Sequence, residues 1–183
     1  FIQRQGLGVR SPKGEACRRP LPAKVVFMGM GEPLLNYRQV LGAVNALCED
    51  ATRRVTLSTV GVASRISALA RDAPSTMRLA LSLHAPTQKL RESLLPVAAR
   101  AWPLEQLLES VRGYEAATGS GVLLEYTLLE GVNDEVDHAA ALAQLIAAEG
   151  LRCAGVNLIP YNPTEAGSIA GFRTPSDSRC KAF

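Results

Sequence analysis

The chain has 183 residues, 47% hydrophobic and 20% charged, and its 20 Lys and Arg against 17 Asp and Glu give a net charge of +3. That balance excludes a disordered or low-complexity chain and suits one globular domain, or a large part of one. No run approaches the ~18 uninterrupted apolar residues of a membrane span, and the first 24 residues hold no signal-peptide core, so neither a membrane nor an oxidising compartment is expected.

Charge is unevenly spread. Residues 1–23 carry Arg4, Arg10, Lys13, Arg18 and Arg19 against Glu15 alone, whereas the remaining 160 residues carry 15 basic and 16 acidic side chains. Interrupted by Gly6, Gly8, Pro12, Gly14, Pro20 and Pro22, the segment 1–23 is expected to be irregular. It is either a solvated loop or a contact to phosphates through counterion release.

From residue 24 the pattern becomes periodic. Residues 25–28 form a short apolar run of the buried-strand kind, closed by Gly29, Gly31 and Pro33. A helix is predicted over 37–50, with Val40, Leu41, Val44 and Leu47 on one face. A strand at 54–57 ends at Ser58-Thr59-Val60-Gly61, and a helix follows over 62–71. The third strand, 79–83, runs into Ser82-Leu83-His84-Ala85-Pro86. Helical periodicity returns over 88–95 and 104–118, punctuated by Gly119 and Gly121. A fourth strand, 122–129, is closed by Gly131 to Asp134, where Asn133 or Asp134 would cap a helix running to Glu149. Gly150 suits the left-handed C-terminal position of that helix. The fifth strand, 155–159, ends at Pro160-Tyr161-Asn162-Pro163. Residues 164–174 read as loop, and a last helix begins near Ser176. His138 is expected on the helix surface.

Five β-then-α units, with strands read as apolar on both faces, imply a parallel sheet. A closed eight-fold barrel typically takes about 250 residues. The expected fold is therefore α/β, a partial parallel (β/α) barrel or open sheet spanning 24–183.

The chemistry gathers at the strand ends. Gly31, Glu32, Ser58, Ser82, Leu83, His84 and Asn162 all stand at or just beyond the end of a strand, and parallel strands deliver their carboxyl ends to one side, where ligands bind. Glu32, flanked by Gly31 and Pro33, can pair with an ammonium group. Ser58 and Ser82 offer hydroxyls to a ligand carboxylate or a ribose, and His84 can exchange a proton near neutral pH. Asn162 presents an amide suited to a purine edge or a ribose. Taken singly, each has a plain structural reading as a cap, a turn or a satisfied core residue; jointly they point to a shared small-molecule pocket.

Several chemistries are set aside. Gly29-x-Gly31 lacks the third glycine of a dinucleotide fingerprint, and no phosphate-binding P-loop or nucleophile elbow is present. Two histidines without clustered acids argue against a hydrolytic zinc site. Cys17, Cys48, Cys153 and Cys180 are separated by 31, 105 and 27 residues, too far apart for a zinc or cluster motif, and are expected to be free, mostly buried thiols. A phosphate-binding barrel enzyme would need a late glycine-rich turn, for which Glu165-Ala166-Gly167-Ser168 is a poor candidate.

The run FMGMGEPLLN at 27–36 closely resembles a signature of the radical-SAM ribosomal RNA adenine-C2 methyltransferases, the RlmN and Cfr group. The likeness continues in order through RVTLSTVG at 54–61, LSLHAP at 81–86 with Arg91 and Leu95-Pro96, Glu125-Tyr126, GVND at 131–134 and VNLIPYNP at 156–163. The resemblance implies a partial (β/α) barrel of the radical-SAM type that binds S-adenosylmethionine. Gly31 and Glu32 would meet its amino group, and Ser58, Ser82, Leu83, His84 and Asn162 would make further contacts. It also implies a [4Fe-4S] cluster, and methylation of an adenine C2 in 23S ribosomal RNA (rRNA), with tRNA as a second substrate of bacterial members. An electron donor such as flavodoxin or ferredoxin and a cytoplasmic setting follow from it, or a plastid setting were a transit peptide to lie upstream.

The chain departs from that family at its catalytic residues. The CxxxCxxC triplet that holds the cluster belongs before the Gly-Met-Gly-Glu block, where Cys17 stands alone. Cys180, in Ser-Arg-Cys-Lys, does not match the context of the methyl-carrying cysteine, and the family's acidic base belongs to a region N-terminal to this chain. No catalytic residue is assigned. The expectation is a cofactor-binding core truncated at both ends and inactive alone, with a non-catalytic nucleotide- or RNA-binding derivative as the alternative.

Overall fold

The computed structural model describes residues 24–28, 30–49 and 54–183. The basic segment 1–23 and Cys17 lie outside them. Five strands, β1 (Lys24–Phe27), β2 (Arg54–Thr59), β3 (Met77–Ser82), β4 (Leu123–Leu128) and β5 (Gly155–Pro160), form one sheet in sequential order, every neighbouring pair parallel. Sequential order without reversal is the connectivity of a barrel wall rather than of a doubly wound sheet, and the five strands form a curled half-barrel. The connecting helices include α1 (Tyr37–Cys48), α2 (Ala63–Asp72), α3 (Gln88–Leu94), α4 (Pro96–Ala101), α5 (Leu104–Thr118) and α6 (Val136–Ala148), followed by α7 (Glu165–Ile169) and α8 (Asp177–Ala182).

The strands are uniformly apolar on the outer face alone, which corrects the two-faced reading; the inner face mixes polar residues with Val26 and Ile159. Side chains alternate along a strand. Val55 and Leu57, Met77, Leu79 and Leu81, and Leu124, Tyr126 and Leu128 point into a core shared with Val44, Ile66, Leu69, Leu107, Leu108 and Val111 of the outer helices. The intervening residues, Thr56 and Ser58, Arg78 and Ser82, Glu125 and Thr127, and Asn157, occupy the other, concave face. An inner wall of this composition is built to meet polar atoms.

Three local details differ from expectation. The segment 164–174 is not all loop: Thr164 caps α7, its hydroxyl accepting from Gly167 N, and Gly167 is buried in that helix rather than in a phosphate-binding turn. Neither Asn133 nor Asp134 caps α6. Their side chains are drawn inward by other partners, and Glu135 caps instead, in a reciprocal box with His138. Pro96 opens a separate helix, α4, as proline suits a first helical turn. The last helix begins where expected, at Ser176, and Phe183 at its end stacks on Tyr126 with ring centroids 5.1 Å apart.

Candidate functional site

Strand β1 ends in a turn that reaches Gly31, whose φ of +90° favours glycine, and then Glu32. Glu32 is held from three directions. Its Oε1 accepts from Leu34 N (2.9 Å) and Thr59 Oγ1 (2.7 Å), and its Oε2 from Val60 N (2.8 Å). The first of these caps the single 3-10 turn Pro33–Asn36, and the other two tie the end of β1 to the end of β2.

Behind this loop lies Arg91 of α3, fully buried. It donates to the carbonyl of Val60 (2.5 Å) and more weakly to that of Trp102 (3.5 Å), while its Nε has no partner among the described residues. Burial lowers its pKa to about 10, still protonated at neutral pH. Val60 therefore bridges a cation and a carboxylate through its two flanking peptides, its C=O facing Arg91 and its N–H facing Glu32.

The concave face supplies the rest. Ser82 and Glu125 stand opposite one another in the β3–β4 register. Glu125 is 4% exposed, and its Oε2 accepts from Ser58 Oγ (2.5 Å) and Ser82 Oγ (3.2 Å). Ala80, in register with Ser58, carries only a methyl group, so the glutamate can lie across β3 to reach β2. Both serine protons are thus committed within the protein, which leaves their oxygens as acceptors.

His84 follows β3 in the left-handed region, φ 58°, unusual for a residue with a β-carbon. Several bonds hold it there. Its Nδ1 accepts from Thr127 N (2.9 Å), its N–H donates to Glu125 O (3.3 Å), and its carbonyl accepts from Asn133 Nδ2 (2.9 Å). Asn133, fully buried, also donates to Thr127 O and accepts from Leu129 N. Burial, and secondarily the charge of Arg91, lowers the His84 pKa to about 4. The imidazole is neutral at pH 7, and with Nδ1 used as an acceptor its proton sits on Nε2.

These groups enclose a cavity of about 210 Å³ lined by Gly31, Glu32, Ser58, Thr59, Ser82, His84, Glu125 and Thr127 among others. A second cavity of about 270 Å³ adjoins it, sharing Met28, Gly31, Glu32 and Pro33. Five of the seven residues singled out from the sequence line the first cavity. Leu83 does not: its side chain is fully buried and its N–H donates to Glu125 O, so any ligand contact would use its main chain. Asn162 is exposed just beyond β5, outside the cavity wall. Sequence reading missed Glu125 and Asn133. A lone acid in the apolar strand LLEYTL was the available signal for the first, and the turn GVND masked the second.

The wall carries two carboxylates and no Lys or Arg, so the cavity suits a ligand with positive centres and hydrogen-bond donors. Among the described residues no group of three or more His, Cys, Asp or Glu could hold a metal, and Cys48, Cys153 and Cys180 are separate, half-buried free thiols. No helix among these residues is long and apolar enough to cross a membrane.

The family model for the radical SAM superfamily matches residues 15–143. The chain is 47% identical over 162 residues to a protein of Thermosynechococcus vestitus named as a probable dual-specificity RNA methyltransferase RlmN, covering 87% of this chain and 46% of that one. It is 49% identical over 152 residues to a protein of Thermus thermophilus with the same name, covering 80% and 41%. Among solved structures, a radical SAM methyltransferase from Sphaerobacter thermophilus superposes with a TM-score of 0.78 at 42% identity, over 88% of this chain and 46% of that one. The chain spans a little under half the length of these relatives.

Proposed function

Because the chain belongs to the radical SAM superfamily, we propose that it forms the S-adenosylmethionine-binding core of an RNA methyltransferase of the RlmN type. The observation that carries the reading is the cavity at the carboxyl ends of β1 to β4, where Glu32 and Glu125 face a space without a cation. S-adenosylmethionine brings a sulfonium and an ammonium to such a site, and its length suits two adjoining cavities better than one. The turn at Gly31 and Glu32 would receive its amino group. Ser58 and Ser82 would offer hydroxyl oxygens, His84 its Nε2–H, Leu83 its main chain and Asn162 its amide at the rim. When bound, S-adenosylmethionine supplies the methyl group and the source of the radical. The protein's part is to bind it, orient it and keep His84 uncharged beside it.

The proposed substrate is an adenine of ribosomal RNA methylated at C2, with tRNA as a second substrate and a flavodoxin or ferredoxin as electron donor, in the cytoplasm. The [4Fe-4S] cluster of the family does not fit the residues described. Their thiols are scattered and no cluster-sized ligand group forms, so no step is assigned through it, and this stretch alone is proposed to be inactive. That same observation favours, as a second reading, a non-catalytic nucleotide- or RNA-binding derivative.

Calorimetric titration of the chain with S-adenosylmethionine tests the first reading. Glu32→Ala should weaken binding about tenfold or more, the loss expected of a charge-assisted contact, and an unchanged affinity would remove Glu32 from the site. Anaerobic reconstitution with iron and sulfide should give no stoichiometric four-iron absorption. A full cluster spectrum would overturn the exclusion.

A further inference from the structure

The two carboxylates of the cavity spend their oxygens differently. Glu32 receives a hydrogen bond on each oxygen, two on Oε1 and one on Oε2, all from its own loop and the end of β2. Glu125 receives both of its hydrogen bonds, from Ser58 and Ser82, on Oε2. Its Oε1 has no hydrogen-bond partner among the described residues. Glu125 lines the cavity although its residue is only 4% exposed. No Lys or Arg among the described residues pairs with it.

Burying a carboxylate without a counter-charge is costly, and the cost is offset when a cation arrives. We propose that Glu125 is the counter-charge for the positive centre of the bound ligand, with Ser58 and Ser82 as the hydrogen-bonding supports that aim its free oxygen. This rests on the reading of the site as a S-adenosylmethionine pocket and adds to it a ligand-binding residue in mid-strand. With one oxygen occupied by the serines, the contact is made through a single oxygen. That geometry matches an ammonium or sulfonium group better than a ribose diol, which takes both oxygens of a carboxylate. Ser58 and Ser82 then act on the ligand partly through Glu125.

The test compares two ligands on the full chain. S-adenosylmethionine carries the charged end; 5′-methylthioadenosine carries the same adenine and ribose on an uncharged thioether. Glu125→Gln keeps the shape and an acceptor for the serines but removes the charge. It should weaken S-adenosylmethionine about ten- to a hundredfold, the scale of a charge-assisted bond, and leave methylthioadenosine within about twofold. Glu125→Asp, which keeps the charge on a shorter arm, should retain the preference for S-adenosylmethionine. The melting temperature of the ligand-free Gln variant should equal or exceed that of the parent, because an unpaired buried charge has gone. Equal losses for both ligands, no loss for either, or a lowered ligand-free melting temperature would each overturn the proposal, the last by making Glu125 a structural tie between two serines. A parent chain that binds neither ligand overturns the cofactor reading and this inference with it. A parent that binds S-adenosylmethionine, beside a Gln variant that binds it equally well, overturns the inference alone.

Discussion

Acidification should destabilise this protein through His84. In the folded chain burial lowers the imidazole pKa from 6.5 to about 4, so below 6.5 the unfolded chain takes up a proton that the folded chain refuses. The stabilisation from neutral His84 is complete above pH 6.5 and drains away as the pH falls towards 4. At ~1.36 kcal/mol per pH unit the loss reaches about 3 kcal/mol, a sizeable share of the ~5–15 kcal/mol that holds a typical domain. Protonation also turns Nδ1 from acceptor to donor, breaking its bond from Thr127 N. Urea unfolding across the window from pH 6.5 to 4 should show a falling midpoint. The same series on His84→Asn, chosen because asparagine tolerates a φ of 58°, should show a shallower fall. The chain has only two histidines, so proton NMR can follow the His84 ring directly. A ring titrating near 6.5, or an identical pH slope in the variant, would refute the reasoning.

Two further substitutions probe the frame around the pocket. Gly61→Ala should destabilise by about 2–4 kcal/mol, combining strain at positive φ with crowding: Gly61 has a φ of +103°, and an added β-carbon would lie 2.6 Å from Leu107 Cδ1 and 3.2 Å from Leu81 Cδ1. Denaturant unfolding measures this, and a change below about 1 kcal/mol would show that the loop relaxes freely. Asn133→Ala removes the three hydrogen bonds of a buried side chain and should cost about 3 kcal/mol, with faster amide exchange at Leu129; protection equal to the parent's would show that the asparagine does not hold the turn.

The strands were legible because each is a short apolar run closed by Gly, Pro or a polar turn. β2 nevertheless extends two residues beyond the predicted end, through Ser58 and Thr59, because β-compatible polar residues look like a turn when the partner strand is unseen. The helices α4 and α7 escaped notice for a related reason: both are shorter than two turns, too brief to show a period. The site was readable where chemistry coincides with a strand end, as at Glu32, Ser58, Ser82 and His84. It was not readable at Glu125, third in its strand, because only the curvature of the half-barrel shows that the concave face lines a cavity. Leu83 marks the opposite limit: it stands at a strand end between two cavity-lining residues, but its side chain belongs to the core.

Val60 is held between an outer helix and the rim of the pocket by its main chain alone. With Arg91 grasping its carbonyl oxygen and Glu32 its amide hydrogen, an outer helix and an inner rim are joined through two peptide planes that meet at one α-carbon. A displacement of α3 would therefore reach the Glu32 carboxylate by way of the two backbone dihedrals of a single residue.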